Sequence, residues 1–466
     1  MPAVPDQILT VAQMRAAEEA LIAAGSSVDA LMQIAGRGAA EWVWRIAAGR
    51  PVTVLCGPGN NGGDGYVIAE AIRTRGGAVS VIAATEPKTD AARNARALFG
   101  GQVLGPDAAP KGEIFVDCLF GSGLTRAMSD DLMAVVARLA ASHAYRIAID
   151  VPSDVDSDSG AILNAELPQF DLTISLGAWK PAHFLMPAAA LMGHLRLVGI
   201  GVCRVDYAAM LVPQPRLKAP AADAHKYRRG LLGVVAGAMP GAALLAARAA
   251  QGAGAGYVKL LGAVPAGVPM DIVADPRALT ASLADKRWSA LLIGQGLGRH
   301  AAARDALVEV LAQSVPAVLD ADALMLLFPG FVSGRSYPLI ATPHEGELAA
   351  LEGAFGCSGE GAKPARALAL AQASGMVIVA KGPDSVIAAP DGRVAFSHRA
   401  SSWLSTAGTG DVLAGTIASR LATGEAPFDA ACEGVWLHGE AARLAGAAFT
   451  AGKLAESVGA AYAACL

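Results

Sequence analysis

The chain has 466 residues, more than a single hydrophobic core usually supports, so two domains of ordinary size are expected. Its formal net charge of -4 excludes a strong electrostatic case for nucleic-acid binding. Although 53% of the residues are hydrophobic, the longest uncharged stretch, 231–247, is broken by glycine and proline and does not predict a membrane span. The six cysteines are scattered without a Cys-x-x-Cys pair, which favours reduced thiols in a cytoplasmic protein.

The first half of the chain begins with helical patterns and then changes to a strand and a glycine-rich loop. Apolar residues recur at helical spacing over 28–46, and the run at 52–56 predicts a buried strand. That strand leads into G-P-G-N-N-G-G-D-G at 57–65, a layout typical of a nucleotide-binding unit, although the loop is neither G-x-G-x-x-G nor a Walker loop. The polar residues of the loop, which favour a binding site over a plain tight turn, are Asn60, Asn61 and Asp64.

Further strands alternate with helical segments in this half, and they are predicted at 78–83, 114–118, 147–151 and 172–176. The alternation predicts a parallel, doubly wound sheet, whose ligands gather beyond the carboxyl ends of the strands. Side-chain oxygens fall at these ends in Asn61, Asp117, Asp150 and Ser153. Together they could hold a hard cation, or each acid could only cap a helix. Lys180 either lies at the same edge or is a solvated lysine.

A change of composition separates the two halves. Prolines fall among alanines without helical or strand periodicity, so residues 213–222 are predicted to link a domain of residues 1–212 to a domain of residues 223–466. The second domain again alternates strands with helices, and its strands are predicted at 231–235, 257–260, 290–293, 317–319, 339–341, 376–380 and 386–388. A second α/β domain is therefore expected.

The sequence S-T-A-G-T-G-D-V-L-A-G at 405–415 runs from a glycine-containing loop into an apolar-periodic helix. Gly408 and Gly410 allow backbone N–H groups to approach a ligand closely, and a helix N-terminus carries partial positive charge, so an anion site is predicted. Asp411 could accept a proton from a hydroxyl that attacks the bound anion, or it could only cap the helix.

Other polar loops follow the strands of this half: G-Q-G-L-G at 294–298, D-A-D-A-L at 320–324, T-P-H-E-G-E at 342–347 and K-G-P-D-S at 381–385. His344 could be a satisfied buried histidine and Lys381 a solvated lysine. Taken with the anion loop and Asp411, these loops favour phosphoryl transfer over coincidence.

These motifs resemble known families over nearly the whole chain. The second half is similar to the ribokinase-like superfamily through A-G-T-G-D at 407–411, and within it to the ADP-dependent NAD(P)H-hydrate dehydratases through H-K-Y-R-R-G at 225–230 and the strand-end loops. The first half resembles the NAD(P)H-hydrate epimerases through L-M-Q-I-A-G-R-G at 31–38, G-N-N-G-G-D-G at 59–65, V-D-C-L-F-G-S-G-L at 116–124 and D-V-P-S at 150–153. The order of the halves resembles that of the bifunctional NAD(P)H-hydrate repair enzymes. The resemblance implies an α/β protein with two doubly wound domains, an N-terminal Rossmann-like αβα sandwich and a C-terminal ribokinase-like αβα domain.

The resemblance also implies site residues. In the first half, hydrate binding is implied for Asn60, Asn61, Gly62, Gly63 and Asp64 and for Gly121, Ser122, Gly123, Leu124, Thr125, Arg126 and Ala127, with Asp150 as a hypothetical acid/base. A potassium ion is implied at Asn61, Asp117 and Ser153. In the second half, hydrate contacts are implied for Ala242, Gly298 and His344, and contacts with ADP and its Mg²⁺ for Lys381, Gly382, Pro383, Asp384, Ser385, Gly408 and Gly410, with Asp411 as the catalytic base.

The implied activity is repair of hydrated nicotinamide cofactors. The first half would interconvert the R and S hydrates, and the second would phosphorylate the ring hydroxyl of the S hydrate with ADP and eliminate phosphate. The implied partners are NAD(P)H hydrates and ADP, with a homo-oligomer expected and neither nucleic acid nor membrane. Two alternatives stay open: a small-molecule kinase for a vitamin precursor or sugar, and a first domain that binds a ligand without catalysis.

One departure from the epimerase pattern concerns charge. Asp154 follows the serine of D-V-P-S where epimerases usually have glycine, and this places an extra carboxylate beside the implied cation site.

Overall fold

The computed structural model describes residues 4–164, 166–264 and 267–466. The chain divides into two compact units, Met1–Ala209 and Met210–Leu466. Strands alternate with helices in both units, and the central strands of each sheet are parallel, so the predicted doubly wound α/β class is confirmed. Among the described residues, no helix is both long and apolar enough to cross a membrane.

The first unit is built around a parallel sheet. Its strands are β2 (Val52–Cys56), β3 (Val79–Ala83), β4 (Val103–Leu104), β5 (Ile114–Cys118), β6 (Tyr145–Ile149), β7 (Leu172–Leu176) and β8 (His194–Val198), and a short strand β1 (Gln7–Ile8) lies outside this sheet. Its helices are α1 (Val11–Ala23), α2 (Val28–Ala47), α3 (Asn60–Thr74), α4 (Asp90–Leu98) and α5 (Asp130–Ser142), with 3₁₀ turns at Pro181–His183 and Ala188–Leu191. The sheet order is β4-β3-β2-β5-β6-β7-β8.

Strand β2 shows why this sheet is covered on both faces. Val52, Val54 and Cys56 belong to an apolar cluster with α2 and α3, whereas Leu55 belongs to a second cluster with α5. Because successive side chains of a strand point to opposite faces, the two faces of β2 pack against different helices. All five residues are buried, including the polar Thr53, whose hydroxyl lies 2.8 Å from Nε2 of His143.

The second unit has a larger sheet. Its strands are β9 (Ala209–Leu211), β10 (Leu231–Ala236), β11 (Tyr257–Gly262), β12 (Val273–Asp275), β13 (Ala290–Ile293), β14 (Ala317–Leu319), β15 (Leu339–Ala341), β16 (Val377–Ala380), β17 (Val386–Ala388) and β18 (Val394–Phe396). Its helices are α6 (Pro240–Gly252), α7 (Leu279–Leu283), α8 (Ala301–Leu311), α9 (Asp322–Leu326), α10 (Pro329–Val332), α11 (Glu345–Phe355), α12 (Lys363–Ser374), α13 (Thr409–Ala422), α14 (Pro427–Ala445) and α15 (Ala451–Ala463), with a 3₁₀ turn at Ser402–Leu404. The order is β9-β18-β17-β16-β15-β14-β13-β10-β11-β12, parallel from β12 to β16 and antiparallel through β16, β17 and β18.

Several boundaries differ from the sequence prediction, and two of them have a clear structural cause. Strand β6 ends at Ile149 rather than at Val151, because Asp150 has a φ of 70° and no strand continues through that conformation. The compact units divide before Met210 rather than at the proline-rich stretch, because Met210 and Leu211 pair in parallel with Ala395 and Phe396 of β18.

Helix α13 occupies the centre of the second unit. It packs against α6, α14 and the sheet, and nearly every residue after its first turn is buried. At Gly415 the backbone of α6 approaches so closely that a Cβ would overlap the carbonyl group of Ala246. The crossing of α6 and α13 therefore requires glycine at this position.

We predict that Gly415→Ala destabilises the protein by about 1–3 kcal/mol, because the two helices must separate to admit the methyl group. Gly439→Ala is the matched control, since this helical glycine is exposed and a Cβ there meets nothing within 4 Å. It should stabilise the protein by about 0.5–1 kcal/mol. Urea unfolding of the two variants checks both signs, and equal stability of the two would contradict the close crossing.

Candidate functional site

The glycines of G-N-N-G-G-D-G lie in a helix rather than in an extended loop. Helix α3 begins at Asn60, after the N-cap Gly59. A Cβ at Gly62 would overlap the carbonyl oxygen of Gly57, and one at Gly65 would lie 2.8 Å from the sulfur of Cys56. These two glycines therefore bring the first turns of α3 against the end of β2.

Asn61, Gly121 and Asp150 meet at the carboxyl ends of the strands, as the sequence predicted. A Cβ on Gly121 would lie 3.3 Å from both Cγ of Asn61 and Oδ2 of Asp150. The backbone N–H of Ser122 donates to Oδ2 of Asp150 at 3.1 Å. Both amide atoms of Asn61 are buried without a hydrogen-bond partner among the described residues. A buried, unpaired amide at this point marks a place for a polar ligand.

Asp150 forms a buried ion pair with Lys180. The Lys180 ammonium donates to Oδ1 of Asp150 and, at 2.7 Å, to the carbonyl oxygen of Leu176. Burial opposes ionisation of Asp150, but Lys180 outweighs it and holds the pKa of the carboxyl below its usual value. Lys180 is thus not the solvated lysine that the sequence left open, since its side chain is only 2% exposed.

His183 forms hydrogen bonds with the backbone of both residues of this ion pair. Its Nε2 donates to the carbonyl oxygen of Asp150 at 2.8 Å, and its Nδ1 accepts from the backbone N–H of Lys180 at 2.9 Å. Burial, reinforced by Lys180, lowers the pKa of His183 to about 4, so the ring is neutral and can hold both contacts at once.

The pKa of Asp64 is shifted in the opposite direction from that of Asp150. Burial, followed by the charges of Asp150 and Glu18, raises its pKa well above the usual value. Burial also raises the pKa of Glu18, which interacts with Lys180 and Asp150. The site therefore combines an ionised carboxylate with carboxyls that favour the protonated form. Glu18 was missed by the sequence reasoning, because nothing in the pattern of helix α1 separates it from a solvated acid.

Asp117 and Ser153 form a second polar group at this edge. Ser153 donates to Asp117 from its hydroxyl at 2.7 Å and from its backbone N–H at 2.9 Å, and its hydroxyl accepts from the N–H of Phe120 at 2.9 Å. Burial raises the pKa of Asp117. Asp117, Ser153 and the unpaired amide of Asn61 each offer a side-chain oxygen, the type of ligand that a hard cation prefers. In the part of the chain that the structure describes, no group of three or more His, Cys, Asp and Glu side chains is arranged to hold a metal ion.

Asp154 has a structural role that explains the departure from glycine. Its φ of 88° lies in the left-handed region, where glycine is favoured. One carboxylate oxygen accepts from the backbone N–H of Asn164 at 2.7 Å and so ties down the loop after it. Short polar side chains that bond locally are among the few that tolerate this conformation.

The remaining predicted residues of this half lie on a solvent-facing loop. Gly121 to Leu124 form a turn closed by the N–H of Leu124. Thr125, Arg126 and Ala127 are exposed. No side-chain hydrogen bond joins these three to any described residue, so the structure does not bring them to Asp150.

In the second unit, Asp411 lies in the first turn of helix α13. Gly408 is the N-cap residue, with a φ of 94°. The loop before it is fixed by the Thr409 hydroxyl, which donates to the carbonyl oxygens of Leu404 and Thr406 at 2.8 and 2.9 Å. The imidazole of His438 contacts the carbonyl oxygen of Thr409 at 3.0 Å. Gly408 provides no side-chain cap, and an uncapped helix N-terminus can bind an anion.

Lys381 joins this loop to the carboxylates at the neighbouring strand ends. Its Nζ lies 2.7 Å from Oδ1 of Asp320 and 3.9 Å from Oε2 of Glu347. A Cβ on Gly410 would lie 3.6 Å from the same ammonium. Burial opposes the charge of Lys381, but these acids and Asp411 raise its pKa, so it stays cationic beside the anion loop. It is not a solvated lysine.

The carboxyl of Asp411 has a raised pKa. Burial, with the charge of Asp320 adding to it, raises its pKa to about 6, although Lys381 acts in the opposite direction. A carboxyl with this pKa is mostly ionised at neutral pH and remains basic enough to accept a proton.

The residues for which hydrate contacts are implied in this half are His344, Gly298 and Ala242. His344 is the N-cap of α11; its side chain is 63% exposed, so it is not a buried core histidine. The backbone N–H of Gly298 donates to Oδ2 of Asp322 at 2.8 Å. Ala242 lies in helix α6, and a Cβ on the neighbouring Gly296 would lie 3.1 Å from that of Ala242.

The K-G-P-D-S loop forms a turn that is closed by hydrogen bonds between its own residues. The Ser385 hydroxyl accepts from the N–H of Gly382 at 3.1 Å and donates to its carbonyl oxygen at 2.9 Å. Asp384 pairs with Lys363, and Pro383 accepts from the N–H of Ala400 at 3.0 Å. Asp320 and Glu347 lie in motifs that the sequence analysis singled out. Their contacts with Lys381 could not be predicted, because these contacts depend on the order of the strands in the sheet.

Comparisons with known proteins agree with this division. Residues 28–182 match the family described as YjeF-related protein N-terminus, and residues 232–462 match the family described as NAD(P)H-hydrate dehydratase. The chain is 33% identical to the bifunctional NAD(P)H-hydrate repair enzyme Nnr of Salinibacter ruber, with 94% of this chain and 92% of the relative covered. It is 34% identical to the protein of that name from Mycobacterium tuberculosis, with 89% of each chain covered.

Solved structures are also similar to parts of the chain. An ADP/ATP-dependent NAD(P)H-hydrate dehydratase from Bacillus subtilis, co-crystallised with ATP and Mg²⁺, is 28% identical with a TM-score of 0.48 and covers 54% of this chain and 95% of its own. The yeast protein YNL200c is 24% identical with a TM-score of 0.35 and covers 38% of this chain and 82% of its own.

We predict that Lys180→Met costs about 3–5 kcal/mol of stability, because it leaves the Asp150 carboxylate buried without a partner. The double variant Lys180→Met with Asp150→Asn should recover part of that loss, since asparagine removes the charge and tolerates a positive φ. Urea unfolding measures both variants. A double variant as unstable as the sum of its single variants would show that the two side chains do not interact.

Proposed function

Since this chain belongs to the bifunctional NAD(P)H-hydrate repair enzymes, we propose that Asp411 is the base that starts dehydration in its second unit and that Asp150 and Asp64 carry out epimerisation in its first. The observation that carries the dehydratase proposal is Asp411, with its pKa near 6, in the open first turn of α13 and electrostatically coupled to Lys381. For the epimerase, the supporting observation is the contrast between Asp150, whose pKa lies below its usual value, and Asp64, whose pKa burial raises well above it.

The substrate explains why a phosphoryl donor is needed. Hydration of the reduced nicotinamide ring places a hydroxyl on the carbon beside the ring nitrogen. Hydroxide is a poor leaving group, whereas phosphate is a good one. Converting the hydroxyl into a phosphate ester therefore allows the nitrogen lone pair to break the carbon–oxygen bond.

The dehydratase steps follow from the residues at the anion loop. Asp411 takes the hydroxyl proton as that oxygen forms a bond to the terminal phosphorus of the nucleotide and the phosphoanhydride bond breaks. The N–H groups of Gly408 and Gly410 and the Lys381 ammonium would stabilise the charge on the transferred group. The nitrogen lone pair then expels phosphate, and loss of a proton from the adjacent ring carbon restores the double bond.

The nucleotide is proposed to be ADP with Mg²⁺, held by Lys381, the 382–385 loop and Gly410. A magnesium ion would neutralise phosphate charge in this site. Ala242, Gly298 and His344 are proposed to contact the hydrate. A homo-oligomer and a cytoplasmic location stay predictions from the sequence.

Epimerisation needs a proton donor and a charge that stabilises a cation. We assign the first role to Asp64, which would protonate the ring hydroxyl so that it leaves as water while the ring nitrogen forms a double bond to carbon. Asp150 would stabilise the resulting positive charge, in place of the acid/base role hypothesised from the sequence, because Lys180 holds its pKa below the usual value. Water then adds to the other face of the ring and returns its proton to Asp64. The oxygens of Asn61, Asp117 and Ser153 are proposed to hold K⁺, which would balance the buried charge of Asp117.

We predict that Asp411→Asn lowers conversion of the S hydrate with ADP by about 10²–10⁴-fold, because the proton acceptor is lost. In the wild type, kcat/KM should fall about tenfold per pH unit below pH 6, as Asp411 takes up a proton. Recovery of reduced-nicotinamide absorbance from the pure S hydrate measures both effects. Asp305→Asn, an exposed acid of α8, is the control.

Two outcomes would overturn the role of Asp411. One is a full rate in Asp411→Asn. The other is a phosphorylated product that accumulates without recovery of the nicotinamide, which would favour a small-molecule kinase.

For the epimerase, Asp64→Asn and Asp150→Asn should each slow interconversion of the R and S hydrates by about 10²-fold or more, while conversion of the pure S hydrate stays unchanged. Chiral chromatography of the hydrates without nucleotide measures the interconversion. Asp130→Asn, an exposed acid in the first turn of α5, is the control. Normal interconversion in both active-site variants would leave the first unit as a binding module.

A further inference from the structure

The second unit contains a cavity at the end of α13 opposite to Asp411. It has a volume of about 400 Å³, and its wall includes Arg216, Lys218, Arg229 and Arg420. Asp411 lies in the first turn of α13 and Arg420 in the last, so at 1.5 Å per residue the helix separates them by about 14 Å. The cavity is therefore distinct from the anion loop.

The wall of the cavity is held in place by buried contacts. Arg420 is nearly inaccessible; its Nε donates to Glu433 at 2.6 Å and its Nη1 to the carbonyl oxygen of Ala253 at 3.2 Å. Its guanidinium lies 5.6 Å from the ring centre of Tyr462. Gly254, with a φ of 112°, allows this packing, because a Cβ there would lie 2.9 Å from both Arg420 and Tyr462. The floor of the cavity is thus preformed.

The rim carries positive charge that the protein does not neutralise. Arg216 and Lys218 are exposed, and neither forms an ion pair or side-chain hydrogen bond with any described residue. The strand-like segment that bears them is tied to the end of the chain, because the N–H of Leu217 donates to the carbonyl oxygen of Cys465 at 2.9 Å. Arg229 donates from Nη2 to the carbonyl oxygen of Gly254 at 3.2 Å, and its side chain forms no ion pair with any described residue. These cations converge on one opening.

The charge balance of the wall points to an anion. Four cationic side chains face two carboxylates, Glu425 and Glu433, both of which already pair with Arg420. The cavity therefore has an excess of positive charge, in a chain whose net charge is -4. Guanidinium groups match phosphate oxygens in a bidentate fashion, and the volume suits a small ligand rather than a macromolecule.

We propose that this cavity binds a small molecule bearing clustered phosphates, at a site separate from the catalytic anion loop. Arg216, Lys218 and Arg229 contact the phosphate oxygens, and Arg420 with Tyr462 forms the floor. The proposal is independent of the catalytic roles given to Asp411, Asp64 and Asp150.

Calorimetric titration of the full-length protein with inorganic pyrophosphate tests the proposal. Arg216→Ala with Lys218→Ala should weaken the cavity binding at least tenfold, whereas Lys286→Ala with Lys453→Ala, which removes the same charge from exposed positions elsewhere in this unit, should not. Gly410→Asp places a carboxylate in the catalytic loop and should leave the cavity binding intact. Higher salt should weaken it.

Several results would overturn the proposal. They are the absence of pyrophosphate binding, full binding in the Arg216 and Lys218 variant, and loss of all binding in Gly410→Asp, which would place the ligand in the catalytic loop. A parallel titration with citrate separates phosphate from carboxylate recognition. Binding of citrate as tight as that of pyrophosphate would contradict the phosphate assignment.

Discussion

A lysine paired with a buried carboxylate organises each of the two candidate sites. Lys180 pairs with Asp150 in the first unit, and Lys381 pairs with Asp320 in the second. Each ammonium is costly to bury, and each is stable only because an acid at the end of a neighbouring strand compensates it. Burial, with the neighbouring charges as smaller causes, shifts the pKa values of Asp64 and Asp411 beside these pairs. The chemistry of both sites depends on these two pairs.

The parallel sheets explain why such pairs form at all. Asp150 follows β6 and Lys180 follows β7, and the two strands are hydrogen-bonded neighbours. Asp320 follows β14 and Lys381 follows β16, with β15 between them. Because parallel strands end at the same edge, residues far apart in the chain meet there without any dedicated structure. The helices cover the faces of the sheet and leave only this edge for polar groups.

This topology also sets the limit of sequence reasoning. The periodicity and the glycine-rich motifs predicted the class of the fold, most strand positions and the edge at which Asn61, Asp117, Asp150 and Ser153 would gather. They did not predict that Asp150 ends its strand through a left-handed conformation or that Asn60 begins a helix. Contacts such as those of Lys381 with Glu347, or of Glu18 with the first site, depend on strand order and helix packing, which no local pattern contains. The family assignment required the ordered set of motifs, since each single motif also suits a turn or a cap.

The proposed reactions of the two units require acids in opposite protonation states. Dehydration begins by removing a proton from a hydroxyl, and for this Asp411 must be ionised near neutral pH yet basic enough to accept a proton; a pKa near 6 meets both requirements. Epimerisation without phosphate begins by adding a proton to the same hydroxyl, and for this Asp64 must be protonated. Burial raises both pKa values, and a lysine opposes the rise in each site. Asp64 is buried and two acids, Asp150 and Glu18, add to its rise, whereas Asp411 is only partly buried and one acid, Asp320, adds to its rise. The degree of burial and the neighbouring acids therefore set whether the carboxyl acts as an acid or as a base.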